Sequence, residues 1–142
     1  VALEGIHSLK IVAGESILVA VDARMNEAYW ATYIVQSNGL PERIGDVYLS
    51  SPENIDLPQS DFYLAGNAVT AYTNEMNALS NKAVAIDPHA VPHARSIATL
   101  GIDALAKGLQ VTAENLQPIY IRDKVAETIA ERSQANRQAK SN

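Results

Sequence analysis

With 142 residues, 47% of them apolar, the chain is long enough for one domain with a real hydrophobic core, and wholesale disorder is excluded. It has no cysteine, which excludes disulfides and thiolate sites and fits a reducing, cytoplasmic setting; nor does any apolar run approach the roughly 20 residues of a membrane helix. The net charge of −5 is uneven, +2 over residues 122–142 and −7 before them, so the body repels a phosphate backbone and nucleic acid is not expected as a direct partner.

In chain order, Val1-Ala2-Leu3 reads as the remnant of a strand, followed by Gly5 and a short helix from about Ser8. That opening suggests the downstream part of a longer protein. Ile17 to Val21 is a run of apolar residues suited to a strand buried on both faces. After a polar break the pattern alternates, with Tyr29, Ala31, Tyr33 and Val35 on one face and Trp30, Thr32 and Ile34 on the other. The two runs make a β-hairpin, and Asn26 is the turn residue best suited to a positive φ.

Further strands are expected at Arg43 to Ser50, Asp61 to Ala65 and Lys82 to Ile86. Ser51 and Pro52 start a short helix, and Asn67 to Leu79 forms a longer one. The clearest helix runs from Pro92 to Lys107, closed by Gly108, with Ala94, Ile97, Ala98, Gly101, Ile102 and Leu105 on one face. Gly101 in mid-helix implies a tight helix–sheet contact. Residues 123–139 favour helix by composition, with the apolar positions thinning after Ala130. Three consecutive strands followed by α/β units predict a mixed sheet with flanking helices, the ribonuclease-H-like unit. The domain expected is residues 1–122, with 123–142 as a C-terminal helix and tail.

Several residues invite chemistry. Asp22 and Glu27 flank the hairpin turn, where two carboxylates can share a divalent metal or act as acid and base. Arg24 between them offers the structural alternative, an ion cluster that fixes the turn. His89 and His93 have metal-pair spacing, but Pro92 between them puts His89 in the preceding loop, and His7 has no evident partner. Gly66 and Asn67 follow a strand and open a helix, a geometry that lets a nucleotide approach. Tyr120 and Arg122 project to the same side if their segment is extended, and anchoring is the role expected of them.

At these residues the chain resembles the TsaB (YeaZ) family. Gly5-Ile6-His7-Ser8-Leu9 is similar to the family's Gly-Val-Ser-Ser-Leu helix start, and Leu64-Ala65-Gly66 to its strand–Gly element. Asp22-Ala23-Arg24-Met25-Asn26-Glu27-Ala28-Tyr29 resembles its hairpin, with Asn26 where the family often has Gly. Pro118-Ile119-Tyr120-Ile121-Arg122 resembles its closing Pro-x-Tyr-Leu-Arg. The likeness covers the family's second half only.

The resemblance implies one lobe of the actin-like ATPase fold, without catalytic residues, metal or cofactor. It implies a partner subunit in bacterial threonylcarbamoylation of tRNA, supporting the catalytic paralogue TsaD together with the ATPase TsaE. The tRNA would be met only indirectly, and any homodimer would form through the absent first lobe. Gly66 and Asn67 then correspond to a reduced adenosine-binding turn, and Asp22, Arg24, Glu27, Tyr29, Tyr120 and Arg122 to structural or interface positions. Two competing readings are a metal-dependent hydrolase of ribonuclease-H-like or glycopeptidase-like type using Asp22, Glu27 and His89, and an interaction module that dimerises through its sheet edge or C-terminal helix.

Overall fold

The computed structural model describes residues 1–122, so the helix expected over 123–142 lies outside the described residues. A five-stranded sheet has the order β3-β2-β1-β4-β5. Strands β1 (Ser16–Arg24), β2 (Glu27–Val35) and β3 (Pro41–Ser50) form an antiparallel meander. Strands β4 (Phe62–Ala65) and β5 (Ile86–Asp87) run parallel to β1. This mixed sheet with flanking helices is the ribonuclease-H-like architecture that the strand order predicts.

The alternation of β1 sorts its side chains between two cores. Leu18 and Ala20 point to one face, where Trp30, Phe62, Leu64, Met76 and Leu79 bury them. Ile17 and Val19 point to the other, against Ile6, Ile11, Val35 and Ala65. Helix α1 (Ala2–Leu9) covers this second face, while the short helices α2 (Ala68–Ala71) and α3 (Asn77–Ser80) cover the first. On the first face the Trp30 and Tyr48 rings stack with centroids 4.6 Å apart, and Trp30 Nε1 donates to Ser50 Oγ at 3.0 Å.

The start of the chain corrects the sequence expectation. Residues read as a strand remnant are helical, and Gly5 lies inside α1 instead of ahead of it. The reason is packing: a Cβ at Gly5 would stand 2.7 Å from the Cβ of Ala65 and 2.8 Å from Ile17 Cδ1, so glycine lets the helix approach the sheet. Ser8, expected near the helix start, sits in the last turn, and its hydroxyl bonds the Asp87 carboxylate at the end of β5.

Two more elements differ. The helix expected over Asn67 to Leu79 is broken into α2 and α3, because Tyr72 leaves helical geometry at φ −131°, ψ 53°. Its ring is used elsewhere, as described below. The strand expected over Lys82 to Ile86 narrows to β5, although Val84 N–H still donates to Phe62 O at 2.9 Å and Leu64 N–H to Ala85 O at 3.0 Å.

Helix α4 (Ala94–Ala106) forms where its periodicity predicts. Its apolar face, however, does not reach the sheet: Ile97, Ile102 and Leu105 are 64%, 70% and 63% exposed. Gly101 therefore has no tight contact, and nothing lies within 4 Å of where its Cβ would stand. The helix is held through a polar contact instead, Ser96 Oγ donating to the Glu4 carboxylate of α1, which keeps that carboxyl below its ordinary pKa. None of the helices among the described residues is long and apolar enough to cross a membrane.

Candidate functional site

The charged turn between β1 and β2 is where the sequence motifs converge. Met25 and Asn26 form its two central positions with φ of 57° and 58°, the doubly positive arrangement of a type I′ hairpin turn. The sequence pointed to Asn26 alone. Arg24 is also left-handed, at φ 64°, because a bulge between Asp22 and Arg24 shifts the register by one residue. Three consecutive non-glycine residues at positive φ cost roughly 1–2 kcal/mol each, so the turn needs support from outside itself.

Asp22 supplies part of that support. Its Oδ1 accepts from the Tyr72 hydroxyl at 2.6 Å and from the Arg24 backbone N–H at 2.8 Å, and its Oδ2 lies 3.2 Å from Arg24 Nη1. The Tyr72 hydrogen bond, then the Arg24 amide and charge, hold the Asp22 carboxyl below the usual carboxylate range. The same bond pushes the Tyr72 phenol up. A carboxylate so occupied stays ionised at neutral pH and is poorly suited to donate a proton.

Arg122 supplies the rest. Its Nη2 donates to Ala23 O at 3.1 Å and Arg24 O at 3.4 Å and pairs with the Glu27 carboxylate, while its Nη1 lies 3.5 Å from Met25 Sδ. Its side chain is only 13% exposed, against 87% for Arg24. The Asp–Arg–Glu cluster read from the sequence is thus two pairs, Asp22 with Arg24 and Glu27 with Arg122. The buried cation that spans the turn arrives from 95 residues downstream of Glu27.

The other candidates separate. Tyr29 is half-buried on β2, paired with Val21 in register. Tyr120 is 82% exposed and does not anchor the closing segment, which Arg122 does. Gly66 has φ +113°, and a Cβ there would run into the backbone carbonyl of Ala20, so glycine is required for strand packing. Asn67 Oδ1 accepts from Asp22 N–H at 3.0 Å, tying the start of α2 to the end of β1. His89 is in a loop, its N–H donating to Asp87 Oδ1 at 2.9 Å, and His93 immediately precedes α4. Among the described residues, no group of three or more His, Cys, Asp or Glu side chains has the geometry of a metal site.

Tyr72 and Asn67 are the members of this cluster that sequence reasoning did not assign to it. Both lie on the segment after β4, about 45–50 residues from Asp22, and no local spacing links them. The arrangement is a network of polar groups that stiffens a strained turn, with partners for all but the buried Arg122 Nε. Its chemistry is positional: it fixes the shape and charge of the surface where β1, β2, α2 and the closing segment meet.

No family model matches the chain. In sequence it is 28% identical over 115 residues to the tRNA threonylcarbamoyladenosine biosynthesis protein TsaB of Escherichia coli (strain K12), a match covering 78% of this chain and 49% of that protein. Two solved Pseudomonas aeruginosa structures are similar in fold. One, described as an uncharacterized protein with similarity to peptidase YEAZ, gives a TM-score of 0.72 at 30% identity, covering 85% of this chain and 54% of that one. The other, YeaZ, gives 0.71 at 30% identity, covering 84% and 54%. The chain spans about half the length of each of these relatives.

Proposed function

We propose that the chain is a member of the TsaB/YeaZ family and acts in tRNA threonylcarbamoyladenosine biosynthesis as a non-catalytic partner subunit. Its role is to hold the catalytic paralogue TsaD, together with the ATPase TsaE, in a competent assembly. Residues 1–122 are the lobe that does this, with 123–142 appended to it. The tRNA is met only through TsaD, dimerisation uses the part of the family's length that this chain does not span, and the place of action is the cytoplasm.

The observation that carries the reading is the likeness to a protein named for this pathway. Local chemistry supports it. Asp22 and Glu27, the carboxylates with the best claim to catalysis, are each engaged by a structural partner, Tyr72 and Arg122. A shared metal would have to displace those bonds. The acidic body likewise favours a protein partner over direct contact with tRNA.

The test is reconstituted threonylcarbamoylation in the Escherichia coli system with TsaB left out. Added in excess, the folded chain is expected to raise the yield of modified tRNA above that of TsaD and TsaE alone. No stimulation at any ratio, by protein with native tryptophan emission, would contradict the proposal.

A further inference from the structure

Strand β3 is an edge of the sheet, and its pairing with β2 is interrupted midway. Trp30 pairs with Tyr48 and Thr32 with Ile44, so Gly45, Asp46 and Val47 together stand opposite Ala31 alone. A bulge of this kind re-aims the side chains around it. Gly45 takes φ +73°, and a Cβ there would stand 3.3 Å from the Tyr48 hydroxyl, so the phenol ring lies back along its own strand over the bulge. One face of the ring stacks on Trp30, which is fixed in turn by its hydrogen bond to Ser50. Trp30 is buried and Tyr48 exposed, so the other face of the phenol ring is open.

This ring forms part of a groove of about 510 Å³, within the usual range of ligand clefts. Thr32 and Ile44 continue its sheet wall, and residues 56–60 form the facing wall. Charge in the groove has one sign. Asp56 is the charged residue among the described lining, and among the described residues it enters no ion pair. Residues 41–61 hold five carboxylates and one cation, Arg43. That cation is directed elsewhere: Arg43 pairs with Tyr33, on the opposite face from Thr32 and Ile44, and its Nε donates to Gly45 O at 3.0 Å.

An open aromatic face and an unpaired carboxylate in one groove both attract a cation, through the ring quadrupole and through charge. A planar guanidinium suits the two together, because it stacks on a ring and forks onto a carboxylate. Ile44 and Leu57, both exposed, offer apolar contact to the chain that carries it. We propose that this groove docks an extended basic segment of a partner protein, with an arginine laid across the open face of Tyr48 and paired with Asp56. The acidic stretch around it steers that segment in.

The test is a titration of the isotope-labelled full chain with the peptide acetyl-Gly-Gly-Arg-Gly-Gly-amide, followed by amide and indole NMR shifts. Saturable shifts are expected at Gly45, Tyr48, Leu57 and the Trp30 indole. The citrulline counterpart, which keeps the shape and loses the charge, should bind about fivefold more weakly or less. Asp56→Asn and Tyr48→Leu should each weaken the arginine peptide by about fivefold, while Glu75→Gln, which removes the same charge outside the groove, leaves it unchanged. Asp56 is exposed, so Asp56→Asn carries the test should Tyr48→Leu disturb the Trp30 stack. Shifts that do not saturate, or that fall on another surface, would overturn the proposal. So would equal affinity for the citrulline peptide, or equal weakening by Glu75→Gln.

Discussion

Replacing Arg122 by alanine tests the support of the turn, because this one side chain bridges three of its elements. It loses the Glu27 pair and the bonds to two backbone carbonyls, at 3.1 and 3.4 Å. Hydrogen bonds from a charged donor contribute about 1.5–3 kcal/mol each, but the carbonyls and Glu27, 35% exposed, regain water when the guanidinium leaves. The net expectation for Arg122→Ala is about 2–3 kcal/mol of lost stability. Arg24→Ala removes a guanidinium that is 87% exposed, and an exposed pair contributes about 0.5 kcal/mol or less. Arg122→Lys keeps the charge without the fork that reaches two carbonyls and the carboxylate, and should recover less than half of the loss. The chain's one tryptophan, Trp30, lies in the core against Ala28 and Leu64, so its emission during urea unfolding reads all three variants. Equal losses for Arg122→Ala and Arg24→Ala would refute the assignment of Arg122 as the main support.

Two glycines should respond in opposite directions. Gly66→Ala combines a positive φ with a clash against the Ala20 carbonyl and should cost about 3 kcal/mol or prevent folding, whereas Gly101→Ala, in an open helix position, should add about 0.5–1 kcal/mol in thermal unfolding. The Asp22 carboxyl is held low in the folded state, so its contribution is present above the ordinary carboxylate pKa and is lost as pH falls through the folded value. Tyr72→Phe removes the main cause of that shift. The stability gap between the two proteins, followed by urea midpoints, should therefore shrink below about pH 4. It should shrink again above about pH 10, because the folded Tyr72 phenol is held high and its contribution is lost as pH rises through that value. A gap constant with pH would contradict the Asp22–Tyr72 bond.

The parts of the fold visible in the sequence are those governed by local pattern. The alternation of residues 29–35 marked β2, and the 3.6-residue period of 94–105 marked α4. Periodicity says which residues share a face, though not what covers it, and so Ile97, Ile102 and Leu105 were expected against the sheet and are exposed. Gly5 looked like a break because a glycine that permits close helix packing is, in sequence, the same letter as a glycine that ends an element. Tyr72 could not be linked to Asp22, nor Arg122 specifically to the carbonyls of 23 and 24, since both contacts join distant segments. In the sequence the hairpin and closing motifs are separate features. Their meeting through Arg122 is a tertiary fact.

Whether the acidic side chains at the hairpin are structural is tested most directly by removing their charge. In the reconstituted threonylcarbamoylation reaction, Asp22→Asn and Glu27→Gln should each leave the yield per folded molecule within about twofold of the unsubstituted chain. A folded Asp22→Asn or Glu27→Gln protein that abolishes the stimulation while still binding its partners would show that a carboxylate takes part in the chemistry, and the scaffold reading would be wrong.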